Sequence, residues 1–158
     1  MKKSIIICIV LSITFLSKGL LADGWGTANL SKKVQLALAT DSIVQLSIVA
    51  GAGDLKIKGV ADQSEITVFA KVLGDNVSDD DYVLSLEKKG DKALLIAQFN
   101  DNTYNSERID IEVSMPSSLA LLVDDKSGDI SIESVSNGLR LNDRSGDIEL
   151  SNIAGLVR

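Results

Sequence analysis

Two aspartates pose the first chemical question. Asp129 and Asp147 stand in identical Ser-Gly-Asp-Ile phrases, at residues 127–130 and 145–148, 18 residues apart. Carboxylates repeated at a fixed step, beside Ser127, Gly128, Ser145 and Gly146, have three chemical uses. They can supply oxygens to Ca²⁺, a hard cation that takes several such ligands. They can flank a glycosidic bond as acid and base or nucleophile, if a cleft sets their separation. They can also accept backbone hydrogen bonds and close a turn. Asp124, Asp125 and Asp143, with Arg140 and Arg144, lie in the same stretch and extend the glycosidase or polysaccharide-lyase reading. Asp75 and the run Asp79-Asp80-Asp81 form a second oxygen-rich cluster, of the kind usually found solvated in loops.

Several features weigh against catalysis. The chain has no His, which removes the Ser-His-Asp set along with the commonest metal ligand. It has no Walker-type phosphate loop. Calcium rolls built on turns of similar length repeat Gly-Gly-x-Gly-x-Asp at half that step, a pattern missing here. Aromatics make up only 4% of the chain, and none lies among the clustered carboxylates as a sugar platform. The turn role is therefore the favoured one, with no catalytic, cofactor or metal residue expected. Tyr82 and Tyr104 sit beside polar loops and read as rim residues. The sequons at Asn29 and Asn76 read as ordinary loop positions.

The elements that position these aspartates show the same 18-residue step. Adding 18 carries Leu121 to Leu139, Val123 to Leu141, Ile130 to Ile148, Ile132 to Leu150, Val135 to Ile153 and Leu139 to Val157. A third, weaker copy of the phrase starts at Gly53-Asp54, followed by Leu55, Ile57 and Val60. A step this short suits one turn of a β-helix better than a pair of helices. Ile130 and Ile132 would face inward with Ser131 outside, and Ile148 with Leu150 would stack on them at the spacing of paired strands. Gly128 and Gly146 would supply the positive φ of a sharp corner.

The intervening chain also alternates. Val34, Leu36 and Leu38 predict a strand, as do Val44, Leu46 and Ile48, and Ile66, Val68 and Ala70. Residues 83–99 predict a hairpin around Lys88-Lys89-Gly90-Asp91, and Ile109, Ile111 and Val113 a strand closed by Met115-Pro116. The expected fold is all-β: a right-handed single-stranded parallel β-helix of 18-residue coils, with an N-terminal β region containing antiparallel hairpin strands. Val157 occupies the position of Leu139 one coil earlier. That predicts an open C-terminal coil, from truncation of a longer form, and allows self-association there.

Lys2 and Lys3 precede an apolar run from Ser4 to Leu16, and residues 18–22 end in Ala22. This predicts a signal peptide over 1–22, cleaved after Ala22, too short in its apolar part to span a bilayer. Cys8 would leave with it. Residues 23–33, with Trp25, would be a flexible lead-in to a single domain over 34–158. Cleavage removes three lysines and no acid, so the mature charge is 13 − 22 = −9. Such a charge excludes a general phosphate-binding surface, hence nucleic acid, as a partner. The expected setting is the periplasm or surface of a bacterium, with an envelope protein or glycan as partner and no stable membrane span after cleavage.

The segment GDLKIKG at 53–59, the strand IDIEVSMP at 109–116 and the two SGDI turns together resemble the bacterial putative-adhesin domain family. The resemblance covers roughly Val44 to Arg158. It implies a right-handed single-stranded β-helix at the envelope or cell surface; the expected role is a non-enzymatic binding or structural, adhesin-like module, with a β-helix carbohydrate-active enzyme as the alternative.

Overall fold

The computed structural model describes residues 29–100 and 107–158. The predicted signal peptide, its cleavage point Ala22, Trp25 and Tyr104 lie outside the described residues. Eleven strands and no helix occur among the described residues: β1 (Leu30–Ala39), β2 (Gln45–Ala50), β3 (Leu55–Val60), β4 (Glu65–Leu73), β5 (Tyr82–Lys89), β6 (Lys92–Phe99), β7 (Arg108–Pro116), β8 (Ala120–Asp124), β9 (Ile130–Glu133), β10 (Leu139–Asn142) and β11 (Ile148–Ser151).

The strands form two sheets that face each other across one core. The first has the order β1-β4-β7-β3-β9-β11, the second β10-β8-β2-β6-β5. Successive strands of the repeat region alternate between the sheets, so each pair makes one coil. The 18-residue step is the stacking register. Ile148 lies beside Ile130, Leu150 beside Ile132, and Leu139 beside Leu121, all in parallel pairs. Leu55, Ile57, Leu46, Ile48, Leu121, Ile130 and Ile132 are buried, forming narrow aliphatic columns that need no large aromatic.

The architecture differs from a wholly parallel helix in two respects. First, the sheets are mixed. β4 pairs antiparallel with both β1 and β7, and β5 pairs antiparallel with β6. These antiparallel strands cover the end of the stack away from the late repeats. Second, the coils do not stack in chain order. β3 lies between β7 and β9, and β2 between β6 and β8. The first coil of the chain, β2–β3, is therefore the second in space. The insertion from 61 to 116 runs out, turns back and builds the coil β6–β7 on one side of it, and β8–β9 then docks on the other. Leu55 consequently touches both generations of the repeat, pairing with Ile111 and Ile130.

Some boundaries move. β1 begins at Leu30, inside the expected lead-in, because residues 30–39 pair along β4. Val44 does not join the inward alternation of β2. It is exposed and Ile43 is buried in its place, since the turn at 41–42, with Ser42 at φ 63°, shifts the face by one residue. Lys88 and Lys89 belong to β5, leaving Gly90-Asp91 as the hairpin turn.

Candidate functional site

The duplicated aspartates meet along one corner of the stack. Gly53, Gly128 and Gly146 lie above one another with φ of 135°, 136° and 142°. That region is open to glycine and strained for other residues. Space requires glycine as well. A Cβ on Gly128 would land on the Gly53 carbonyl oxygen, and one on Gly146 on that of Gly128. The backbone runs through the corner as a ladder: Gly53 N–H donates to Ser127 O (3.0 Å) and Gly128 N–H to Ser145 O (3.1 Å).

The aspartates act between coils. The carboxylate of Asp129 accepts the amide of Asp147 at 3.1 Å, and Asp54 accepts the amide of Asp129 at 3.3 Å. Asp110, three residues before Val113 in β7, accepts the amide of Asp54 at 3.2 Å and the Arg108 Nε at 3.2 Å. For Asp54 and Asp129 the expectation of a bond that closes their own turn is corrected: each carboxylate satisfies the next coil's backbone instead. Ser127 and Ser145 take part through their carbonyls. Asp110 was not singled out from the sequence, because no Gly precedes it. Its only signal was its place opposite Asp54 once β3 and β7 pair.

A second carboxylate is placed quite differently. Asp125 follows Leu121 and Val123 in the inward alternation of β8, and the register that pairs Val49 with Asp124 sets it beside Ala50. It is fully buried, and neither carboxylate oxygen makes a hydrogen bond of ordinary geometry. Burial, then the charge of Asp143 one coil on, pushes its pKa up to about 7, against a weaker pull from the Lys126 backbone amide. Asp124 adds to the upward push. Among the described residues no group of three or more His, Cys, Asp or Glu is arranged to hold a metal ion.

The acidic loop after β4 packs on β1. Asp79 accepts from Lys32 Nζ at 2.7 Å and from the Tyr82 hydroxyl at 3.1 Å. These bonds, Lys32's first, hold the Asp79 carboxyl below its ordinary value. Tyr82 in turn leans on Phe99, ring centres 5.7 Å apart. The loop is thus tied to the sheet, with its tyrosine half-buried.

The outer faces of the two sheets are unlike. On the first, Lys58 faces Glu133 and Lys71 faces Glu112 at 3.7 and 3.5 Å. On the second, a shallow groove crosses β2, β8 and β10, where Val49 and Leu122 form the floor beside Ser47, Asp124, Arg140 and Asn142. Asn142 Nδ2 donates to Asp124 Oδ1 at 3.0 Å, which fixes two of its polar groups.

A two-sheet stack of β coils with glycine corners defines the class: an all-β, solenoid-like repeat domain. The chain belongs to the Toastrack DUF4097 family, whose model matches residues 17–155. No curated protein matches it. Among solved structures, a putative cell adhesion protein from Clostridium sporogenes is similar at 11% identity and TM-score 0.46, covering 78% of this chain and 58% of that one. A putative adhesin from Parabacteroides distasonis is similar at 14% identity and TM-score 0.33, over 80% and 55%. A putative lipid binding protein from the same species is similar at 14% identity and TM-score 0.36, over 84% and 63%. The chain thus spans less than two thirds of the length of these structures. Among the described residues no helix is long and apolar enough to cross a membrane.

Proposed function

We propose that this protein is a non-enzymatic binding or structural module of the bacterial envelope, exported by its N-terminal segment to the periplasm or cell surface. Its frame is read as a short right-handed single-stranded β-helix extended by antiparallel strands. The parallel registers of its four coils support that reading, as does the strong right-handed preference of parallel crossovers. The partner is an envelope protein or glycan, met by the outer face of the second sheet.

One observation carries the proposal. Four of the five clustered carboxylates that a β-helix glycosidase or lyase would draw on are engaged in the frame: Asp129 accepts the Asp147 amide, Asp143 the Ser145 amide and Asp124 the Asn142 side chain, and Asp125 is buried. The groove over Val49 and Leu122 has hydrogen-bonding side chains on an apolar floor, as small-ligand and glycan sites require.

The test is a binding assay against isolated envelope polysaccharide, with glycan breakdown followed in parallel. Arg140→Ala and Asn142→Ala are expected to weaken binding about tenfold each without lowering Tm, because both side chains are exposed. Release of reducing ends by the wild-type protein, abolished by Asp129→Asn in a folded variant, would establish the enzyme reading instead.

A further inference from the structure

The outer faces of the two sheets differ in their alternation. On the first sheet, outward residues are polar, as in Leu55-Lys56-Ile57-Lys58 and Ile109-Asp110-Ile111-Glu112. On the second, residues 93–97 of β6 read Ala-Leu-Leu-Ile-Ala and residues 120–123 of β8 read Ala-Leu-Leu-Val. Uninterrupted apolar runs belong to strands covered on both faces. In the single chain the outward members, Leu94, Ile96 and Leu122, are half-buried and lie around Val49 of β2. β6, β2 and β8 each have a strand on either side, so this apolar centre is internal to the sheet. One row of the face crosses five strands in register: Glu87 on β5, Leu94 on β6, Ser47 on β2, Leu122 on β8 and Arg140 on β10. Read from either end, the row has the same polarity and the opposite charge.

We infer that a second copy of this chain packs on this face, sheet against sheet, about a two-fold axis parallel to β2, and that the dimer closes the groove over Val49 and Leu122. In a two-fold contact each residue meets its complement and is met by it. Rotation about this axis exchanges β5 with β10 and β6 with β8, and keeps each row in place. Glu87 of each copy then meets Arg140 of the other, Leu94 meets Leu122, and Ser47 lies on Ser47. In the next row Val49 lies on Val49 and Ser85 meets Asn142. Ile96 there lies beside Asp124, whose carboxylate already accepts Asn142 Nδ2 at 3.0 Å. A two-fold axis across the strands would set Glu87 on Glu87 and Arg140 on Arg140, so charge selects the axis along β2. Glu87 also touches Lys89 at 2.6 Å, an exposed pair of the kind that contributes little. Strands about 4.8 Å apart and about five residues long give a face of about 400 Å². That is half of the roughly 800 Å² per partner of a standard interface, so the dimer is weak and reversible. Binding in the groove and self-association then exclude each other. This exclusion rests on the binding-module reading, whereas the dimer does not.

The experiment is sedimentation equilibrium on the purified exported protein from about 10 µM to about 1 mM. The wild-type mass is expected to rise from monomer towards dimer across that range. Glu87→Arg and Arg140→Glu are each expected to weaken association about tenfold or more, with the far-ultraviolet circular dichroism unchanged, since both side chains are exposed. The variant carrying both changes is expected to associate as the wild type does. Lys71→Ala, on the other sheet, is expected to leave the equilibrium as it is. A wild-type protein that stays monomeric throughout overturns the inference, as does a double variant no better than the single ones. The exclusion is read from uptake of isolated envelope polysaccharide at the highest protein concentration. Glu87→Arg, with its groove free, is expected to take up more than the wild type. Equal uptake by a dimeric wild type overturns the exclusion. No uptake by either protein counts against the binding-module reading alone, and the mass data still decide the dimer.

Discussion

At the scale of the residue, Asp125 is the least comfortable group in the domain. A buried carboxylate whose oxygens make no well-formed hydrogen bond resists ionisation, because its charged form is poorly solvated. The charges that raise its pKa, those of Asp143 and Asp124, are both acidic. The sign of the pH dependence follows. The folded pKa of about 7 lies above the unfolded value, so the folded state binds the proton more tightly. The stability this provides is full below the unfolded pKa and is lost as pH rises through 7. Between pH 5 and pH 8 the loss is on the order of 3 kcal/mol. Asp125→Asn retains the shape of the neutral acid. In thermal melts across that range, the wild-type Tm is expected to fall with pH and the variant's to stay flat, so that the variant is the more stable at pH 8. Parallel curves for the two proteins would show that Asp125 is ionised in the folded state.

At the scale of the element, the corner and the hairpin turn show how differently two glycines can be constrained. Gly90, at φ 67°, has open space where a Cβ would go. Gly90→Ala therefore loses only conformational fit, about 1 kcal/mol. Gly128→Ala adds a methyl group that meets the Gly53 carbonyl, so the coils must separate along the ladder of Gly53, Ser127 and Ser145 bonds. The expected cost is about 3 kcal/mol or more, read as a fall in urea midpoint several times that of Gly90→Ala. Similar midpoints would mean that the corner can relax. The sequence made the corner legible as far as repetition reached. Equal spacing of Ser-Gly-Asp-Ile, with apolar positions in step, gave the strands, their inward faces and the register of β8 to β11. Repetition could not show what each Asp bonds, because its partner lies in the next coil and, for Asp54 and Asp129, 75 residues along the chain. It also hid Asp125. The alternation Leu121, Val123, Asp125 points that side chain inward, but a carboxylate there contradicts the rule that polar residues face out, so from sequence it reads as one of the clustered carboxylates with Asp124 and Asp143. Asp110 was hidden for a third reason: the insertion that carries it has no copy elsewhere in the chain.

At the scale of the whole molecule, stack order and chain order diverge, and stability should follow the stack. Each coil is held mainly by its two neighbours, so a coil's resistance to opening depends on its place between them. β2 and β3 form the earliest coil in the chain, yet each has a parallel strand on both sides, and Leu55 and Leu46 are fully buried. β11 is paired only with β9, and all four of its residues are exposed. Amide exchange followed by mass spectrometry should therefore rank the strands by position in the stack. Amides of β11 are expected to exchange fastest among the paired strands, β9 more slowly, and β3 slowest, at a rate near that of global unfolding. A gradient running instead from β1 to β11 in chain order would mean that the insertion, and not the coil β2–β3, is the stable nucleus. The order matters for binding, because the groove spans β2, β8 and β10. One wall lies on β2, which has a parallel neighbour on both sides, and the other on β10, at the edge of its sheet. A ligand that bridges Val49 and Arg140 must then hold β10 closed. Its affinity would appear in the same experiment as added protection of β10 and β11, with the β3 rate slowed only by the gain in global stability.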